Sequence, residues 1–209
     1  MMSRIEQAKA CDRGVGRPRE FDMDEALDKA MGAFWLKGYE ATSLCDLMEA
    51  TGLQKGSIYK AFGDKHSLFV RALRRYLDIG FERVSNALGS ASTATEAIER
   101  WLEMSVGVCS DSKRGCFAVN AAIELAPHDT HVRRILDRHF RRVNGALADA
   151  IERGQASGEF RTDVDPRDGA EFLSVFVSGL AASSKTTPRA RGSDQFERLA
   201  RHALRTLGG

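Results

Sequence analysis

The sequence predicts an all-α fold of about nine helices, in which a small N-terminal three-helix unit precedes a larger helical domain. Apolar residues recur at intervals of three and four from Phe21 to Leu207, which is the spacing of one helix face. No stretch shows the strict apolar and polar alternation of a half-buried strand. Helix-capping residues and glycines divide the pattern into separate helices. With 209 residues, 43% hydrophobic and 29% charged, the chain has the size and composition for such a pair of helical units.

The first twenty residues are predicted to form a disordered basic arm, because Gly14, Gly16 and Pro18 interrupt any helix. Arg17 in this arm is placed to reach a minor groove if the chain binds DNA. The first helix is predicted over residues 21–38, with Asp22 as its cap and Gly38 at its end.

The stretch from Thr42 to Phe69 is typical of a helix-turn-helix. Ser43 and Asp46 have the spacing of a capping box, and Gly52 stands where the chain must reverse. The second helix has one apolar face and one face of small, hydroxylic and cationic residues suited to phosphates and base edges. That second face carries Lys55, Gly56, Ser57, Tyr59 and Lys60. From Gln54 to Arg75, six Lys and Arg residues stand against Asp64 alone, which favours a nucleic-acid partner.

The run from Lys55 to Leu68, together with Thr42 and Gly52, resembles the DNA-reading motif of the TetR family of bacterial transcriptional regulators. The resemblance covers roughly residues 16–75. It implies that Thr42, Tyr59 and Lys65 contact phosphates and that the start of the second helix lies nearest the bases. The resulting DNA-binding set is Arg17, Thr42, Ser43, Gln54, Lys55, Gly56, Ser57, Tyr59, Lys60 and Lys65.

Six further helices are predicted beyond the motif, after about residue 63. They span residues 64–88, 95–109, 116–126, 128–155, 166–185 and 193–207, with Pro166 at a first helical position and a loop over 185–192. The helix over 64–88 runs from the motif into the second unit. We therefore expect a helix-turn-helix domain over residues 21–75 and an effector-binding and dimerisation domain over residues 76–209.

The resemblance also implies a small-molecule effector inside the larger domain. The candidate lining residues are Phe81, Trp101, Met104, Ser105, Phe117, Asn120, Glu124, Phe140, Phe172 and Phe176. For any one aromatic, simple core packing is the competing interpretation. Asn120 and Glu124 lie four apart on a nearly apolar helix, where polar groups need partners. They either bind a polar effector group or pair with arginine or backbone groups across a subunit interface.

The helix that begins at Pro166 is apolar on more than one face, which favours a partner subunit. The resemblance implies a homodimer through the last two helices, about residues 165–185 and 193–207. Two reading helices would then require a palindromic double-stranded operator. The combined expectation is a transcriptional repressor that a small effector releases from DNA.

Two alternatives remain. Cys109 and Cys116 bracket a turn with Lys113 and Arg114, and nearby positive charge favours a redox or electrophile sensor, although buried small side chains explain both cysteines as well. The second alternative is an enzyme that contains an incidental helix-turn-helix. The sequence has no Gly-rich phosphate loop, nucleophile elbow or metal-ligand spacing, so we expect no enzyme, cofactor or metal. The absence of long apolar runs predicts a cytoplasmic protein without a membrane partner.

Overall fold

The structure, a computed structural model, describes residues 21–110, 114–186 and 189–208, without the side chains of 109, 110 and 189–193. Within these ranges the chain forms nine α-helices, and the only strand-like feature is an isolated antiparallel bridge between Phe160 and Gly208. The helices are α1 Met23–Lys37, α2 Leu44–Thr51, α3 Lys55–Phe62, α4 Lys65–Gly89, α5 Ala94–Ser110, α6 Phe117–Glu124, α7 Thr130–Ser157, α8 Pro166–Ser183 and α9 Arg189–Arg205. The all-α prediction is confirmed. The predicted arm, including Arg17, lies outside the described residues.

Local capping explains most helix starts. The Asp22 carboxylate accepts the amides of Asp24 and Glu25, and Ser43 and Asp46 form a reciprocal capping box. Asp165 caps α8, whose first residue is Pro166, as the sequence predicted. Gly52 ends α2 at φ 72°, a left-handed conformation that favours glycine.

Two predicted helix starts were misplaced. Helix α7 begins at Thr130 rather than His128, because Asp129 accepts the amides of His131 and Val132 and is therefore the cap. Helix α9 begins at Arg189, inside the predicted loop over 185–192. The residues that follow Pro188 include two arginines and an alanine, which are good helix formers.

The first core lies among α1 to α4, the N-terminal unit. Phe34, Leu47, Ile58, Leu68 and Phe69 are each at most 1% exposed. The same core takes in apolar residues of α6 and the start of α7, so the larger domain closes one side of the unit.

The second core joins α4 and α5 to α7, α8 and α9. Its centre contains Trp101, Leu147, Ile151, Leu173 and Leu207, which are at most 3% exposed. Helix α4, about 37 Å long from its residue count, contributes its first half to one core and its last turns to the other. In the described part of the chain, no helix has the length and apolar character needed to cross a membrane.

Candidate DNA-binding surface and effector cavity

Helix α3 has one buried face and one free face. Ile58 and Phe62 are 1% and 4% exposed and fix the helix in the N-terminal core. On the opposite side Lys55, Tyr59 and Lys60 are exposed. Gly56 lies among them, and a side chain there would meet no atom within 4 Å, so the absence of a Cβ leaves room for an approaching surface. Helix α3 therefore presents cationic, aromatic and backbone groups on one accessible face.

The cations around α3 are positioned by aromatic rings. The Lys55 ammonium lies 5.8 Å from the centre of the Tyr59 ring. The Lys65 ammonium, in the first turn of α4, lies 4.5 Å from the Tyr39 ring and 3.4 Å from the carbonyl oxygen of Glu40. Such contacts hold a charge near the surface without neutralising it. Gln54 precedes α3 with an exposed side chain that makes no capping hydrogen bond.

Two predicted DNA contacts have other structural partners. Thr42 was predicted to contact a phosphate, but it is fully buried and its hydroxyl donates to the carbonyl oxygen of Gly38. The prediction for Thr42 is corrected on this point, because a buried hydroxyl with a backbone acceptor is not available to a phosphate. The Ser43 hydroxyl belongs to the capping box with Asp46, although the residue is exposed. Ser57 is half-buried.

The Asp46 carboxylate stabilises the same corner. A hydrogen bond from Lys37 at 2.6 Å and the amide of Ser43 lower the pKa of Asp46 from 3.8 to about 2. The carboxylate therefore remains charged at neutral pH and holds α1 and the start of α2 together.

A cavity of about 260 Å³ lies in the larger domain among α1, α4, α5, α6, α7 and α8. Four predicted effector residues line it, namely Trp101, Met104, Ser105 and Phe140. Residues that sequence reasoning missed include Met31, Trp35, Tyr76, Val119, His139, Ser174 and Ser178. Their helical periodicity indicated inward-facing positions, but periodicity does not distinguish a cavity wall from a filled core.

Six predicted effector residues lie outside this cavity. Phe117 is 1% exposed and packs edge-on against Phe69 and Tyr76 in the first core. The guanidinium carbon of Arg142 lies 3.5 Å from the centre of the Phe81 ring. Phe172 and Phe176 stack on one another along α8, and Phe172 is 48% exposed.

The polar pair on α6 is also outside the cavity. The Asn120 amide donates to the carbonyl oxygen of Arg114 at 2.8 Å. The Glu124 carboxylate accepts the backbone N–H groups of Tyr39 and Glu40, each at 2.9 Å. Both side chains therefore satisfy backbone groups of their own chain. The predicted need of this polar pair for partners is met by backbone groups of the same chain, and neither residue lines the cavity.

The segment from Gly115 to Asp129, which contains α6, is joined to the N-terminal unit at three points, which we call the α6 contacts. The indole N–H of Trp35 donates to the carbonyl oxygen of Gly115 at 2.9 Å, just before α6. Glu124, the last residue of α6, accepts the two amides after Gly38. Beyond it, His66 Nε2 lies 2.6 Å from Asp129 Oδ2. The approach is close, since a Cβ on Gly38 would lie 2.9 Å from Glu124 Oε2.

The cavity is mostly apolar, and its ionisable groups are constrained. Burial, and then the positive charge of Arg142, lower the pKa of His139 below its usual 6.5, while Asp78 opposes the shift. His139 is therefore a neutral ring at pH 7. Cys116 also lines the cavity, and the Tyr76 hydroxyl donates to its Sγ at 3.6 Å. The Cys109 side chain lies outside the described residues. Across the described ranges, no three His, Cys, Asp or Glu side chains are grouped to hold a metal ion.

The exposed face of α3, the turn before it and the cationic start of α4 define a helix-turn-helix DNA-binding protein with a helical second domain. Profile comparison agrees with this class. Residues 26–72 match the family described as bacterial regulatory proteins of the tetR family, and residues 94–200 match the tetracyclin repressor-like C-terminal domain. The chain belongs to the TetR family of transcriptional regulators.

Curated relatives support the same assignment. The transcriptional repressor ComR of Escherichia coli is 35% identical over 173 residues, which cover 81% of this chain and 82% of ComR. The uncharacterized regulator YezE of Bacillus subtilis is 31% identical over 176 residues, or 83% and 91% of the two chains. A solved cysteine mutant of the TetR family regulator CifR, complexed with 26 bp double-strand operator DNA, aligns with TM-score 0.79 and 33% identity, over 92% of this chain and all of that chain.

Proposed function

We propose that the protein is a homodimeric repressor that binds a palindromic operator and is released from it by a small molecule in the cavity among α1 and α4 to α8. The observation that carries this proposal is the double role of α6. Cys116, Ala118 and Val119 line the cavity, while Gly115 and Glu124 at the two ends of the same segment bind the N-terminal unit. A ligand that moves α6 therefore acts directly on the DNA-binding unit.

The lining favours a small and largely apolar effector with one or two hydrogen-bonding groups and no positive charge. Trp101, Met104 and Phe140 provide apolar walls. Ser105 and Ser174 already bond to Trp101 and Asn144, and the candidate polar partners include Arg83, Ser178 and neutral His139. In the described part of the chain no carboxylate lines the cavity, which disfavours a cationic ligand, whereas Arg83 in the lining can pair with an anionic or polar group.

Release requires that the effector bind the low-affinity conformation more tightly. A difference of about 1.4 kcal/mol between the two conformations changes operator affinity tenfold. The α6 contacts supply the path, because displacement of α6 loosens the backbone amides of Tyr39 and Glu40 at the corner where α1 meets α2. The exposed cations of α3 and α4 bind the operator, and the protein acts in the bacterial cytoplasm, where its DNA is.

Operator binding is tested by selecting genomic fragments with the purified protein and footprinting the selected fragments at a stated salt concentration. We expect a palindrome with half-sites about one helical turn apart. Lys60→Ala should reduce the slope of log affinity against log salt by about one, whereas Lys185→Ala, an exposed cation at the end of α8, should leave it unchanged. Equal binding of all fragments would contradict the proposal.

The effector site is tested with a panel of small uncharged aromatic compounds, scored by the rise in the thermal unfolding temperature. Ser178→Phe places a ring in the cavity and should abolish the rise produced by any active compound. Ser85→Phe, at an exposed position of α4, is the matched control and should respond like the original chain. A compound that still stabilises Ser178→Phe binds elsewhere and would refute the cavity as the site.

Thiol chemistry at Cys116 is the second candidate, because its sulfur lines the cavity within reach of the Tyr76 hydroxyl. In this version the Cys116 sulfur adds to an electrophilic carbon–carbon double bond of the ligand, whose π bond breaks, and the thiol proton is transferred through solvent to the neighbouring ligand carbon. Cys116→Ser should then abolish release by oxidants or electrophiles and retain operator binding. Under the first candidate, Cys116→Ser responds to a noncovalent effector as before.

A further inference from the structure

A second cavity, also about 260 Å³, lies between α4 and α7 on the outside of the larger domain. Its chemistry differs from that of the mostly apolar effector cavity, because four of its nine lining residues are arginines. Its lining consists of Arg74, Leu77, Asp78, His131, Arg134, Ile135, Arg138, His139 and Arg142. Four guanidinium groups thus share one groove with a single carboxylate.

The arginines on α7 form a regular ladder. Arg134, Arg138 and Arg142 are successive residues four apart, so they lie on one face at intervals of about 6 Å along the axis. Arg74 faces them from α4. Buried Leu77 and half-buried Ile135 form an apolar floor between the helices, and this floor strengthens electrostatic contacts above it.

The groove arginines lack carboxylate partners, in contrast to their neighbours in the chain. Arg75 binds Asp28 through two of its nitrogens, and Arg141 pairs with Asp137. Among the residues placed by the structure, no carboxylate lies within 4 Å of the guanidinium of Arg74, Arg134, Arg138 or Arg142. The Arg142 guanidinium is instead held over the Phe81 ring. The four groove arginines therefore have no ion-pair partner among the described residues, and Asp78 is the single carboxylate residue in the lining.

We propose that this groove binds a small polyanion that carries several phosphate or carboxylate groups. Guanidinium groups donate two parallel hydrogen bonds to such oxyanions, and neighbouring arginines of the ladder, about 6 Å apart along α7, can bind different anionic groups of one ligand. The groove contains no residue of α3, so it is separate from the DNA-reading face. His139 belongs to both cavities, so a ligand in the groove contacts the wall of the effector cavity.

The test measures binding of inorganic triphosphate and of citrate to the full chain by titration calorimetry at physiological salt. We expect at least one of the two to bind, and the stronger of them identifies the source as phosphate or carboxylate. Arg134→Ala with Arg138→Ala should weaken that binding about 100-fold, because two charge-assisted sites are removed. Arg133→Ala with Arg153→Ala changes the same net charge at exposed α7 positions outside the groove and should leave binding unchanged.

Folding is checked by thermal unfolding of both double variants. Removing Arg134 and Arg138 should not lower the unfolding temperature, since neither has a carboxylate partner among the described residues. The proposal is overturned if neither anion binds, or if both double variants lose binding equally, which would indicate general charge attraction. It is also overturned if the groove variant loses operator affinity about 100-fold while anion binding persists, because the groove would then be a DNA contact.

Discussion

Thr42 illustrates what a single residue's identity leaves open. A threonine before a short helix suits a phosphate contact and a buried backbone contact equally well. The structure selects the second, because the turn after Gly38 places the Thr42 hydroxyl against the Gly38 carbonyl. Tyr59 had the same prediction and is 42% exposed on α3. Residue type therefore predicts which residues are candidates for DNA contact. Exposure, which depends on packing, decides which of them are accessible to DNA.

A pair of hydroxyl deletions tests this separation. Thr42→Val should lower the free energy of unfolding by about 1 kcal/mol, because it removes one intramolecular hydrogen bond and preserves shape. Tyr59→Phe should leave unfolding nearly unchanged and weaken operator binding, since Tyr59 lies on the exposed face of α3 that we propose contacts DNA. Urea unfolding and operator titration measure the two effects. If Thr42→Val loses operator affinity but not stability, the result would support the original prediction that Thr42 contacts a phosphate.

Among the effector candidates, Trp101 and Met104 line the cavity while Phe117 and Phe81 do not. All four lie on inward-facing helical positions, so hydrophobic spacing treats them alike. The difference arises from which helices face each other, and this depends on long-range packing. The sequence did indicate that Glu124 needs a partner, but the partner, a pair of amides 84 and 85 residues earlier in the chain, required the structure.

Helices as units were more predictable than their contacts. The caps at Asp22 and Ser43 and the position of Pro166 at the start of α8 are predictable from local sequence, because a helix start depends on the few residues around it. Errors of a few residues occurred where a stronger cap stood nearby, as at Asp129, or where good helix formers extended a helix into a predicted loop, as at α9.

The start of α5 provides a pH-dependent element. The Glu159 carboxylate accepts the amides of Thr95 and Ala94 and the Ser157 hydroxyl. These bonds, the Thr95 amide foremost, lower the pKa of Glu159 from 4.5 to about 2. Because the folded pKa is lowered, the carboxylate stabilises the fold fully above about pH 4.5 and progressively less as pH falls toward 2.

Glu159→Gln should therefore lower the unfolding temperature at pH 6, and the difference from the original chain should shrink between pH 4.5 and about 2, over the interval set by the two pKa values. Thermal unfolding followed by circular dichroism across this range gives the result. Glu152→Gln, exposed on α7, is the control and should show no such convergence. A constant difference at all pH values would refute the assignment to the charged carboxylate.

Glu124, at the end of α6, is predicted to hold the corner between α1 and α2 through its two backbone hydrogen bonds. Glu124→Gln retains size but presents an amide N–H₂ to one of the two backbone donors, which leaves that donor unpaired. Hydrogen exchange at the amides of Tyr39 and Glu40 should accelerate, and operator affinity should fall as the corner between α1 and α2 loosens. Glu171→Gln on the exposed side of α8 should change neither. Unchanged exchange at both amides would show that Glu124 does not hold this corner.

The last prediction concerns the assembly of two chains. Phe172 and Val175 on α8 are 48% and 64% exposed, and Leu199 on α9 is 37% exposed, so the two helices proposed to form the dimer carry three of the six exposed large hydrophobic residues in the described ranges. Val175→Glu buries a charge at that interface and should convert the dimer into a monomer in sedimentation experiments, with a corresponding loss of operator affinity.

Ile123→Glu is the matched control for this assembly, because Ile123 is 66% exposed on α6, outside the proposed interface. It should remain a dimer with unchanged operator affinity. Since neither position is buried within the single chain, both variants should retain their helical circular dichroism. A dimer that survives Val175→Glu but dissociates with Ile123→Glu would show that the interface lies on α6 rather than α8. The proposed effector, bound beside α6, would then act on the contact between subunits as well as on the N-terminal unit.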